Sequence, residues 1–154
     1  MRFDIISDTH GHLSDELLAA LQGADYIVHA GDICSESDYW RLSRIAPVRM
    51  CLGNNDWGCD YGPDVKRFVQ FYSAGLRWQV CHYEERLDLM TCDVAICGHT
   101  HRPFIERDPK TRVLVMNPGS PTFPRTAKGP TIGRIEADGG NVQACRIIQL
   151  NKRR

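Results

Sequence analysis

The sequence predicts an α/β protein made of two mixed sheets packed face to face with helices outside. Three observations carry that prediction. The first half alternates short β-prone runs with amphipathic segments in the order β-α-β-α-β, the signature of a parallel sheet. The second half changes to neighbouring β-prone runs joined by turn residues, which read as antiparallel pairs. A chain of 154 residues is also long enough to bury a core as a single domain, 1–154, and it shows no linker, repeat or low-complexity segment.

Each element has its local reason. "RFDIISD" opens the chain as a strand. "LSDELLAALQG" follows as a helix, with Ser14 as N-cap, Asp15 and Glu16 in the first turn, Leu17, Leu18 and Leu21 on one face and Gly23 after it. "ADYIVHAGD" is the second strand, "SESDYWRLSRIA" the second helix and "VRMCLG" the third strand, broken by "NNDWG". "KRFVQFYSAG" and "LRWQVCHY" look like paired strands, "EERLDLM" supplies up to two helical turns, and "DVAICGH" is another strand. "PFIERDPKTRVLVMN" reads as a hairpin turning at Asp108 and Pro109, and "TIGRIEADGGNVQACRIIQL" as a terminal hairpin turning at Asp138, Gly139 and Gly140.

Composition narrows the function classes. Nineteen basic and nineteen acidic residues balance, and the short Lys152-Arg153-Arg154 tail reads as solvated, so no long-range field recruits nucleic acid or a membrane. No signal-peptide core and no transmembrane-length apolar run is present, so a soluble, cytoplasmic protein is expected. The seven cysteines form no C-x-x-C, and reduced thiols suit that compartment.

Polar, metal-competent residues collect where apolar runs end. "FDIISDTHG" finishes with Asp8 and His10, "YIVHAGD" with Asp32, "RMCLGNND" with Asn54, "WQVCH" with His82, and "AICGHTH" with His99 and His101. Ligands bind at the carboxyl ends of strands in α/β sheets, so five segments point at one place. In extended chain the i, i+2 pairs Asp8/His10 and His99/His101 project to one side, and each pair could chelate one centre. Gly11, Gly31, Gly53 and Gly98 beside them suggest tight turns and close backbone approach. Seven nitrogen and oxygen donors suit two divalent ions sharing a bridging carboxylate, with Asp32 as the natural bridge, and Mn, Fe, Co, Ni and Zn all fit the set. Two ions about 3.5–4 Å apart acidify a bridging water and clamp the oxygens of an in-line displacement at phosphorus. Phosphoester hydrolysis is the implied reaction.

The ordered set "SDTHG", "HAGDI", "LGNND", His82, "CGHTH" and "NPGSPTFPR", spread over residues 4 to 125, resembles the calcineurin-like metallophosphoesterase superfamily, specifically its small YfcE/MJ0936-like phosphodiesterases. The resemblance implies a four-layer α/β-β/α sandwich. It implies that Asp8, His10, Asp32 and His101 hold one metal, while Asp32, Asn54, His82 and His99 hold the other. It also implies phosphodiester or phosphomonoester cleavage, often supported by Mn or Ni, with Mn the first choice. Tyr83 stands where the family usually has glycine, and only sixteen residues separate His82 from His99, too few for the helix that relatives usually insert. Asn55 stands where better-studied members often carry a catalytic histidine; its amide can donate to a phosphoryl oxygen but cannot serve as a general acid. That favours diesters with good leaving groups.

Other residues carry two readings each. His12 at the rim is a solvated loop histidine or a phosphate contact. His29 within its apolar run is a satisfied core histidine or one that fixes the orientation of a ligand, or else a ligand itself. Asp56, grouped with Asn55 as a catalytic candidate, orients Asn54 or the loop, or simply makes the turn. Arg125 binds phosphate or a surface acid, and Trp57, Tyr61 and Tyr83 line the pocket or pack together. "NPGS" at Asn117 to Ser120 is expected to shape the floor of the site, with no catalysis by Ser120 itself. The leading expectation is a dinuclear metallophosphodiesterase acting on a small phosphoester. Its rivals are a Vps29-like protein-binding scaffold and a phosphomonoesterase or protein phosphatase. Substrate identity and oligomeric state, a homo-oligomer included, stay open.

Overall fold

Alternation along the first strand already sorts the layers. In the computed structural model, which describes residues 1–150, Phe3 and Ile5 of β1 (Arg2–Ile6) enter one core cluster while Ile6 enters another, as the period-2 strand requires. The basic tail at Lys152 to Arg154 lies outside the described residues. The remaining elements are α1 (Asp15–Ala20), β2 (Tyr26–His29), α2 (Glu36–Ser43), β3 (Val48–Met50), β4 (Phe68–Ser73), β5 (Leu76–Cys81), a 3₁₀ helix (Glu84–Arg86), β6 (Val94–Ile96), β7 (Phe104–Arg107), β8 (Leu114–Asn117), β9 (Thr131–Asp138) and β10 (Asn141–Gln149).

They form two five-stranded mixed sheets, in the orders β10-β9-β1-β2-β3 and β4-β5-β6-β8-β7. β1, β2 and β3 run parallel, as do β5, β6 and β8. Phe3, Val28, Trp78, Val80, Ile96, Met116 and Ile135 fill the space between the sheets, with the Phe3 and Trp78 ring centroids 4.3 Å apart. Both helices cover the outer face of the first sheet, where Leu17, Leu21 and Leu42 meet Ile27, Met50 and Ile132. Ser14 caps α1 by accepting from the Leu17 N–H, and Ser35 caps α2 by accepting from the Asp38 N–H.

The fold is therefore the α/β arrangement expected, with a difference in the outermost layer. "EERLDLM" makes a single 3₁₀ turn rather than two helical turns, and the outer face of the second sheet is covered by a loop whose Leu87, Leu89 and Cys92 pack on Ala95, Val113 and Val115. Buried Gln79 stands in for the missing helix. Its amide donates to the Asp88 carbonyl at 2.8 Å and to Thr91 Oγ1 at 2.7 Å, and its oxygen accepts from the Asp88 N–H at 2.9 Å. The 104–117 hairpin also turns more widely than expected, over residues 108–113, where the Asp108 carboxylate accepts from the N–H groups of Lys110 and Thr111.

Candidate metal centre

The carboxyl ends of β1, β2, β3, β5, β6 and β8 come together at one edge of the sandwich, because these strands run parallel within their sheets. The chain leaves extended geometry there. Asp8, His10, Asp32, His99 and His101 have φ of 56°, 49°, 61°, 73° and 60°, a region in which Asp and His are among the few tolerated residues. The i, i+2 pairs thus do not project from one side of a strand; each ligand sits on its own left-handed corner. Two glycines allow the corners to meet without needing positive φ themselves: a Cβ at Gly53 would collide with the Asp32 carboxylate, and one at Gly98 with the Ser7 hydroxyl.

Asp8 lies at the centre and is fully buried. Its Oδ2 accepts from Ser7 Oγ at 2.6 Å and from the His99 N–H at 2.9 Å. Its Oδ1 has no hydrogen-bond partner, and faces His101 Nε2 at 3.4 Å, His82 Nε2 at 3.7 Å and His10 Nε2 at 3.8 Å. Asp32 Oδ2 lies 3.5 Å from His82 Nε2 and 3.8 Å from His10 Nε2.

The imidazoles are aimed from behind. His82 Nδ1 lies 2.7 Å from the Ala30 carbonyl and His101 Nδ1 lies 2.7 Å from the Phe123 carbonyl. A carbonyl only accepts, so both Nδ1 atoms carry a proton, and each ring when neutral presents its Nε2 lone pair to the cluster. His82 Nε2 is buried and unpartnered.

Charge matches this geometry. Burial works against ionisation of Asp8, but His101, His82 and Ser7 outweigh it and hold its carboxyl below the ordinary value. Burial opposes Asp32 too, yet His82 and the two amide groups of Asn55 leave it well below the usual range. His82 would be pushed down by burial, and Asp32, Asp8 and the Ala30 carbonyl reverse this and raise it. Asp8 raises His101 against the opposing effect of burial.

Two compact groups of donors result, Asp8 with His10 and His101, and Asp8 with Asp32 and His82. Two buried polar atoms without partners, set among imidazole nitrogens and carboxylate oxygens, make a donor set that fits a divalent cation. Asp8 is common to both groups, although Asp32 also reaches both sides through His10 and His82. His99 stands beside the second group, its ring 5.1 Å from that of His82 and 4.7 Å from that of Tyr83. Asn54 is exposed at the rim, lining a cavity with His82 and Tyr83.

The remaining candidates separate by their contacts. Asn55 turns inward, its N–H donating to Asp32 Oδ1 at 2.8 Å and its Nδ2 to Asp32 Oδ2 at 2.9 Å. Asp56 is buried, and its carboxylate accepts from the N–H groups of Asp32, Gly53 and Cys34 at 2.7, 2.7 and 2.9 Å. It ties two loops together and has no oxygen directed at the cluster. His29 accepts from the Gly31 N–H and pairs through Nε2 with Thr9 Oγ1, both at 3.0 Å. His12 is exposed at the rim, and Arg125 is exposed beside His10 and His101. Tyr83 adopts an ordinary extended conformation, φ −101° and ψ 126°, so no glycine is required after His82.

"NPGS" does shape the floor. Asn117 Nδ2 donates to the Gly98 carbonyl at 3.0 Å, and Ser120 Oγ donates to the Asp8 carbonyl at 2.8 Å while accepting from the Phe123 N–H at 2.8 Å. Sequence reasoning missed Ser7 and the Ala30 and Phe123 carbonyls. Ser7 adjoins Asp8 in "SDTHG" and could have been found there, but a backbone carbonyl has no sequence signal.

Residues 1–140 match the calcineurin-like phosphoesterase superfamily domain. The chain belongs to that superfamily. It is 34% identical to a probable metallophosphoesterase of Methanothermobacter thermautotrophicus over 94% of this chain and 90% of the relative. A solved archaeal phosphodiesterase superposes with a TM-score of 0.79 at 26% identity, covering 97% of this chain and all of that one. The vacuolar protein sorting 29 structure from Cryptosporidium parvum superposes with a TM-score of 0.75 at 18% identity, covering 96% and 97% of the two chains, which shows a shared fold. As a calcineurin-like phosphoesterase, the protein places its candidate metal-binding residues after five strand ends. No helix among the described residues is long and apolar enough to cross a membrane.

Proposed function

We propose that this protein is a dinuclear-metal phosphodiesterase. The observation that carries the proposal is the buried Asp8 Oδ1, unpartnered among three imidazole nitrogens. Asp8, His10, Asp32 and His101 would hold one ion, and Asp32, Asn54, His82 and His99 the other. Bound divalent ions supply Lewis-acid charge and a water acidified toward neutral pH. Manganese is the first ion to try, then Ni, Zn, Fe and Co, all of which suit nitrogen and oxygen donors.

The chain's own residues do the rest. Ala30 and Phe123 lock two imidazoles in the tautomer that presents Nε2, and Asn55 steadies both oxygens of Asp32. Asn55 and Arg125 hold the phosphoryl oxygens, with His12 and Tyr83 at the edges. In the reaction a water oxygen bonds to phosphorus and releases a proton to solvent as the opposite P–O bond breaks, and the departing oxygen takes a proton from solvent. Asn55 supports a diester reading because an amide cannot supply that proton.

The test is hydrolysis of bis-p-nitrophenyl phosphate against p-nitrophenyl phosphate after loading with Mn, Ni or Zn. The diester should turn over faster, and Asp32→Ala should lower kcat/KM by more than about 100-fold, beyond the usual loss for a residue that only supports a metal ligand. Activity unaffected by Asp32→Ala would sink the reading, and persistent failure to take up metal would favour a scaffold.

A further inference from the structure

Two cavities are each lined in part by candidate metal ligands. One, of about 660 Å³, is lined by His10, His101, Phe123 and Arg125. The other, of about 670 Å³, opens beside His82 and is walled by Trp57, Arg67, Phe68, Tyr83 and Arg86. Its size is that of a site for a whole small molecule, well beyond what a phosphoryl group needs.

The walls of the second cavity are chemically specific. Trp57 is 83% exposed and packs on no other aromatic ring among the described residues. An indole face left in water beside a reaction centre is a ready surface for a planar ring. Arg67 and Arg86 are exposed and form no ion pair among the described residues. The Arg86 guanidinium stands 5.2 Å from the centre of the Tyr83 ring, which orients it without neutralising it. Two unneutralised guanidinium groups match a phosphate, which each can bind bidentately.

We propose that this cavity binds the half of the diester remote from the attacked phosphorus, and that it selects a half carrying a planar base and a second phosphate, as in a short oligonucleotide with a terminal phosphate. Trp57 stacks on the base, and Arg67 and Arg86 bind the terminal phosphate. The inference rests on the diesterase reading above. Tyr83 walls the same cavity and holds the Arg86 guanidinium against its ring there.

Two measurements test it. In calorimetric titrations of the metal-free protein, adenosine 5′-monophosphate should bind about tenfold or more tightly than adenosine, which corresponds to about 1.4 kcal/mol. Trp57→Ala should weaken both, and the Arg67→Gln/Arg86→Gln double variant should abolish the difference. With metal loaded, the diadenylate bearing a 5′-phosphate should be cleaved with about tenfold higher kcat/KM than the diadenylate lacking it, again one factor of ten. In the double variant that ratio should fall to near one, and a ratio taken within one variant is independent of the fraction folded. Equal affinity of the two ligands, or a preference that survives in the double variant, overturns the proposal. An intact binding preference in a protein that cleaves no diester refutes the diesterase reading and leaves the binding site standing.

Discussion

Asp4 and Asp8 lie four residues apart on the first strand and its continuation, both without solvent exposure, and they are treated in opposite ways. Asp4 is clasped by two guanidinium groups. Arg2 donates to its oxygens at 3.1 and 2.7 Å and Arg134 at 2.8 and 3.2 Å. Both arginines also reach the Ala20 carbonyl at the end of α1. Asp8 instead faces imidazoles with one oxygen unpartnered. Asp4, which holds the fold, is neutralised by permanent cations within the chain, whereas Asp8, the candidate metal ligand, has no permanent cation beside it.

The same substitution at both positions should separate the two roles. Asp4→Asn is expected to cost about 3 kcal/mol in urea denaturation, because two half-buried guanidinium groups lose their buried counter-charge. The rise in melting temperature on adding metal should survive in that variant. Asp8→Asn should change the metal-free stability by less than about 1 kcal/mol, since an amide oxygen can keep the bonds from Ser7 and His99 while its nitrogen faces the imidazole lone pairs. The metal-induced rise should vanish. If Asp8→Asn unfolded the metal-free protein while Asp4→Asn did not, the contrast would be reversed.

A smaller effect is expected at Asp56, which belongs with Asp4 despite its place beside the site. Asp56→Asn removes an acceptor from loops that Asp56 ties through three backbone N–H groups, at a cost of about 2 kcal/mol. That loss should be equal with and without metal. A loss seen only in the metal-loaded protein would move Asp56 to the other class.

The smallest effect concerns His29 and is confined to acid. Burial pushes its pKa down from 6.5 to about 4. The unfolded chain therefore takes up a proton between pH 6.5 and about 4 that the folded chain refuses, and stability is lost as pH falls through that window. His29→Gln should flatten the stability profile of the metal-free protein across the window relative to the parent. Parallel profiles would show that His29 does not titrate as its burial demands.

How far the sequence could carry this contrast depends on the range of each signal. Strand ends, the Ser14 cap and the glycines were legible because they are local. The candidate ligands could be singled out because they follow the ends of five apolar runs. Arg134 as the partner of Asp4 was not, since 130 residues separate the pair. Nor were Arg67 and Arg86, which become neighbours of His82 only when β4 and the 3₁₀ turn are placed. Periodicity failed at the corners themselves. It assumes extended chain, and the left-handed conformations of Asp8, His10, His99 and His101 are imposed by the loops that converge there.

Those corners act as a filter on change. A left-handed φ admits Gly, Asn, Asp and His with little strain and penalises branched side chains heavily. A change of Asp8, Asp32, His99 or His101 to Val, Ile or Thr would therefore remove a candidate donor and strain the backbone as well. A lineage that drifts away from metal binding would keep its shape most cheaply by passing through Asn or Gly at these positions, so chemistry could be given up one ligand at a time while the architecture persisted.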